Sequence, residues 1–96
     1  MAKYGFFDPI GIYGVLNSIT AFVAHGELNA ATERAVNVHD EGLYQMAAAA
    51  NKSLWRTFTS HSDELLIAIR ASDPEGCAEA LMDLRAALAC IVGPEP

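Results

Sequence analysis

The chain has 96 residues and a formal net charge of −6, from six Lys/Arg against twelve Asp/Glu. That length suits one domain and no more. The basic residues Lys3, Arg34, Lys52, Arg56, Arg70 and Arg85 are too scattered to form the cationic stripe that phosphate binding requires, so no nucleic-acid partner is expected.

Charged residues make up 19% of the chain and hydrophobic ones 52%, against a usual charged share of about 25%. So few charges leave apolar surface uncovered, and self-association is the expected way to hide it.

The first helix is expected over about residues 9–25. Asp8-Pro9 places a capping carboxylate before a proline at the first helical position, and Gly26 supplies the stop. Ile12, Val15, Leu16, Ile19, Phe22 and Val23 share one broad half of this helix. The other half is small, with Gly11, Gly14, Ala21 and Ala24 beside Asn17 and Ser18. A helix greasy on one side and small on the other is expected to be covered on both, as a central helix or in a dimer interface. Pro9 to Gly26 carries no charged residue, yet Asn17, Ser18, Thr20, His25 and its glycines argue against a membrane span. A signal peptide is disfavoured because no small-residue cleavage site follows.

The second helix is expected over about 30–57, capped by Asn29. Its expected buried arc holds Thr32, Ala35, His39, Leu43, Met46 and Ala50. Its polar arc holds Glu33, Arg34, Asn37, Asp40, Glu41, Gln45, Asn51 and Lys52, with Tyr44, Ala48 and Trp55 also on that side. His39 in a stripe of mostly small neighbours reads as a core histidine, or as the polar contact of a small cavity with Met46 and Tyr13. Tyr44 and Trp55 on one open face read either as anchors for a partner or as side chains covered by a kink or by the following helix.

The third helix is expected over about 61–72, with Ser60 and Asp63 as a variant capping box. It buries Leu65, Leu66, Ala68 and Ile69 and points Ile67 outward, a further hint of a hidden outer surface. Asp73-Pro74 opens the fourth helix, over about 74–92. Cys77, Leu81, Leu84, Leu88 and Ile91 form its a/d seam, flanked by Arg85, which either lays its stem over the seam or meets an anion. The two cysteines, Cys77 and Cys90, lie thirteen residues apart on this helix. That separation excludes a bridge between them and suits a reducing, cytoplasmic setting. No run alternates with the period of two that strands need.

Three histidines are present, His25, His39 and His61. Up-down helix geometry separates them along the bundle, so no metal site is expected. If one exists, His39 and His61 are its candidates, and a break in the second helix near Gly42 or Asn51, or a ligand from a second chain, is needed to complete it. No nucleophile–base pair, phosphate loop or paired carboxylates can be read, and no cofactor is expected.

The stretch His61-Ser62-Asp63-Glu64-Leu65-Leu66-Ile67-Ala68-Ile69-Arg70-Ala71-Ser72-Asp73-Pro74-Glu75 resembles the last helix pair of the ligand-binding domain of FadR-type (GntR-family) transcription regulators. The resemblance extends over about residues 61–84 and implies a helical bundle with a small-molecule cavity. The family's metal-ligating histidines would fall at Ser62, one place from His61, and at Leu84, so it implies that cavity without the metal. No winged-helix DNA-binding domain is expected to precede it.

Together these features lead to an all-α, four-helix, mostly up-down, self-associating bundle over residues 1–96. Its expected function is that of a non-enzymatic cytoplasmic binding or assembly module using Tyr44, Trp55 and Ile67. The alternative is a small-ligand sensor built on His39, Met46, Tyr13 and Arg85 and taking a small apolar ligand. A metal-binding bundle is the third reading.

Overall fold

Three i→i+3 backbone bonds, from Gly11, Ile12 and Tyr13 back to Asp8, Pro9 and Ile10, wind the chain into its first helix. The structure, a computed structural model, describes residues 8–96. Expectations that touch residues 1–7 lie outside the described residues. Four helices follow: α1 (Gly11–Ala24), α2 (Leu28–Ala48), α3 (Lys52–Arg70) and α4 (Pro74–Val92). No strand occurs among the described residues. No helix among them is long and apolar enough to cross a membrane.

α1 begins two residues later than expected, because Asp8 Oδ1 accepts the Ile10 N–H at 3.1 Å within the entry turn. Gly26 ends it in the left-handed region, φ +72°, where glycine has no Cβ penalty. The Glu27 N–H reaches Phe22 O at 2.8 Å and the Gly26 N–H reaches Val23 O at 3.1 Å, which satisfies carbonyls of the last turn. Ser72 ends α3 in the same way although it is not glycine. At the start of α4, Asp73 Oδ1 accepts the Gly76 N–H at 3.0 Å with Pro74 in the first turn, as its sequence implies.

The expected boundary between the second and third helices is corrected. α2 runs unbroken through Gly42 and stops at Ala48, and α3 starts at Lys52. The turn at 49–51 therefore replaces the one expected near 58–60. A single helix from Leu28 to Arg70 would be about 65 Å long at 1.5 Å per residue, whereas the molecule's longest extent is 36 Å. The chain has to turn, and it does so where Ala49 becomes extended (ψ 159°) and Asn51 opens α3. Ser60 and Asp63 lie inside α3, and Asn29 lies inside α2, whose N-cap is Glu27.

Each helix packs against the next, and α4 packs back against α1. Ile12, Leu16, Ile19, Phe58, Leu65, Leu84 and Leu88 are fully enclosed between them. The leucine seam of α4 and the inward set of α3 are buried as their spacing requires, with Ile91 at the edge. α2 contributes mainly small residues, Ala31, Ala35 and Gly42 beside Val38. At Gly42 it approaches α3 so closely that a Cβ there would collide with Thr59 Oγ1 and stand 3.3 Å from the Phe58 ring.

α1 is not a central helix. Ile12, Tyr13, Leu16 and Ile19 are buried, whereas Gly11, Gly14, Asn17, Ala21 and Ala24 are exposed. The small half that was expected to be covered is open in the protomer.

Candidate functional site

The close approach at Gly42 decides where His39 lies. The buried stripe of α2 is Ala31, Ala35, Val38 and Gly42, about one residue round from the expected arc. His39 is therefore at the rim with 21% of its side chain exposed. Its Nε2 lies 2.9 Å from Asp63 Oδ1 on α3, and its Nδ1 is 3.7 Å from Asp40 Oδ1. The same rotation leaves Leu43 47% exposed and buries Glu41, whose Oε2 accepts from Gln45 Nε2 at 2.9 Å. Both corrections follow from α2 presenting its smallest face to α3.

Met46 is half-buried at the core edge. Tyr13 is buried on α1, and its hydroxyl donates to Gly93 O at 2.9 Å. Burial pushes its phenol up from the ordinary value, and the nearby Glu95 and Cys90 push the same way. Clefts open beside Val23, Leu28 and Cys77, between α3 and α4, and at the α1–α2 turn; His39, Met46 and Tyr13 line none of these. The polar tips that a cavity ligand would use are engaged by protein groups.

Arg85 is likewise occupied. Its Nη2 donates to Asn17 Oδ1 at 2.9 Å and to Thr20 Oγ1 at 3.0 Å, joining α4 to α1. Asn17 Nδ2 in turn donates to Glu95 Oε2 at 2.9 Å. Sequence reasoning missed this chain of contacts; the signal for it was a polar pair, Asn17 and Thr20, in an otherwise uncharged helix.

The histidines do not meet. His61 and Asp63 stand two residues apart on α3, about 200° round the helix. Asp63 therefore turns toward His39 on α2, and His61 toward α4. His61 Nδ1 lies 2.8 Å from Glu64 Oε1 and 3.9 Å from Asp83 Oδ2. One nitrogen and two carboxylate oxygens from two helices thus converge within 4.8 Å of one another. This is where a cation could be held, and Glu64 and Asp83 had not been singled out for it. The pair named for a metal, His39 and His61, is corrected accordingly: each has its own carboxylates. Ser62 and Leu84, the positions where the FadR-type histidines would fall, are in the core, with Ser62 Oγ donating to Thr59 O at 2.6 Å.

Of the three expected partner-surface residues, Tyr44 (57%) and Ile67 (65%) are exposed. Trp55 is not: it is 1% exposed and packs edge-to-face on Phe58, ring centroids 5.2 Å apart. The turn at 49–51 resets the helical phase and rotates Trp55 from the outer arc into the core. The open apolar residues the sequence reading had not assigned to a surface are Val36, Leu43, Leu54, Ile10 and Met82. Both cysteines are free thiols on α4; Cys90 is exposed, and burial together with Asp73 pushes the Cys77 thiol up.

Comparison with family models, with curated proteins and with solved structures gives no match to this chain.

Proposed function

We propose that this chain is a non-enzymatic, self-associating binding module of the cytoplasm, a mostly up-down bundle that pairs with a second copy through the outer face of α2. The observation that carries the reading is the row of uncovered apolar side chains there. Val36 and Leu43 are seven residues apart on one stripe, Tyr44 adjoins Leu43, and Leu54 lies just across the α2–α3 turn; all are more than a third exposed. Exposed Ala47, Ala48 and Ala50 extend the patch toward that turn. A patch of this kind is shielded most simply by its own image, since a two-fold axis places the same residues on both sides. The open small face of α1 and the low share of charge support the same reading.

The experiment is sedimentation of the full chain and of a Leu43→Asp/Tyr44→Ser variant. The expected result is a dimer or larger species at micromolar concentration. The double variant is expected to weaken association at least about tenfold, as loss of central aromatic and aliphatic anchors does, whereas Ile67→Asp, on α3, leaves it unchanged. A monomeric wild-type protein at micromolar concentration overturns the reading.

A further inference from the structure

We propose that His61, Glu64 and Asp83 form a binding site for a first-row divalent metal ion, bridging α3 and α4. An ion pair between His61 and Glu64, three residues apart on one helix, would account for their 2.8 Å contact. It does not account for Asp83, which faces the same nitrogen from α4 at 3.9 Å. The neighbouring α3–α4 cleft adds Glu79 and Asp73 to Glu64 and Asp83 along its lining and, among the described residues, contains no Lys or Arg. Asp73 is spent on capping α4. Among the described residues, Glu64 and Asp83 therefore share one imidazole as their cationic counterpart. A divalent ion supplies the missing charge, and the imidazole distinguishes the donor set from a merely acidic patch.

The geometry is near what such an ion needs. Two donors each about 2.1 Å from one ion stand about 3.0–3.4 Å apart at octahedral or tetrahedral angles. The His61–Glu64 pair is already close to that. Asp83 has to close on the His61 nitrogen, 3.9 Å away, by about 0.5 Å, and on Glu64, within 4.8 Å, by at most about 1.8 Å, which is a rotamer-scale movement. The donors project from two regular helices rather than from loops, and His61 keeps 27% of its side chain exposed, so the site is both held and reachable. One nitrogen and two oxygens favour Zn²⁺ or Co²⁺ over Mg²⁺ and Ca²⁺, which take all-oxygen sets. The three protein donors leave positions open for water or a further ligand. This site stands apart from the α2 surface and does not depend on it.

The test is calorimetric titration of the chelator-stripped full chain with ZnCl₂, repeated with MgCl₂ and followed in parallel by the visible spectrum of added Co²⁺. Saturable binding of one Zn²⁺ per chain is expected, with a raised Tm and no matching response to Mg²⁺. His61→Gln and Asp83→Asn should each weaken Zn²⁺ binding about tenfold or more with helical circular dichroism unchanged. His39→Gln should leave it as it is. Absence of saturable Zn²⁺ binding overturns the proposal. So does binding that survives both His61→Gln and Asp83→Asn, which would place the ion elsewhere on the chain.

Discussion

Tyr13 shows how one buried group ties stability to pH. Its hydroxyl closes α1 onto the end of α4 through Gly93, and burial raises its phenol above the ordinary value of 10.0. The unfolded chain therefore gives up this proton at a lower pH than the folded protein does. The stabilising contribution is complete below pH 10 and is lost as the pH climbs through the folded value. Tyr13→Phe should cost about 1 kcal/mol near neutrality, the worth of one hydrogen bond. Urea melts should show that deficit shrinking at strongly alkaline pH, where the wild type must keep a buried phenol protonated or expel it. A deficit independent of pH would count against this account. Ser62 and Thr59 reach satisfaction by another route, bonding to carbonyls of their own helix at 2.6 and 2.8 Å, which is why two hydroxyls can sit in an apolar seam.

α3 is the element whose pattern was most readable and least well read. Trp55, Phe58, Ser62, Leu65 and Ile69 repeat at three-four-three-four spacing, and all are buried. A seam of that spacing marks one continuous helix. The two hydroxyls at Thr59 and Ser62, and the cap-like Ser60 and Asp63, disguised it as a helix start. The far end of α3 carries a cost. Ser72 adopts φ +52°, a left-handed conformation that an L side chain resists, while Gly26 makes the same turn freely. Ser72 is exposed. Replacing it with glycine should therefore stabilise the protein by about 0.5–1 kcal/mol, after the extra unfolded-state entropy of glycine is deducted. A rise of a few degrees in Tm by calorimetry is the expected reading, and a fall would show that the turn is not strained.

At the scale of the whole molecule, the single Trp reports on how the chain is folded back on itself. Trp55→Ala in a closed core should remove about 3–5 kcal/mol, a large part of the roughly 5–10 kcal/mol a domain of this size commands. On the outer arc where an uninterrupted second helix would put it, the same change would cost under about 0.5 kcal/mol. Guanidinium denaturation separates the two outcomes, and a surface-like loss would place the α2–α3 turn elsewhere.

Local signals determined that the described residues make four helices and no strand, where the first ends and where the fourth begins. They determined the inward halves of the first and fourth helices too, because helical periodicity and capping chemistry act within a few residues. Only the tertiary structure decided the turn at 49–51, since Ala47 to Ala50 favour continuing the helix and the length limit of a small globule overrides them. That turn set the phase of everything after it. It put Trp55 in the core and turned Asp63 toward His39, and it set His61 and Glu64 against Asp83. Contacts between residues far apart in the chain leave no period in the sequence.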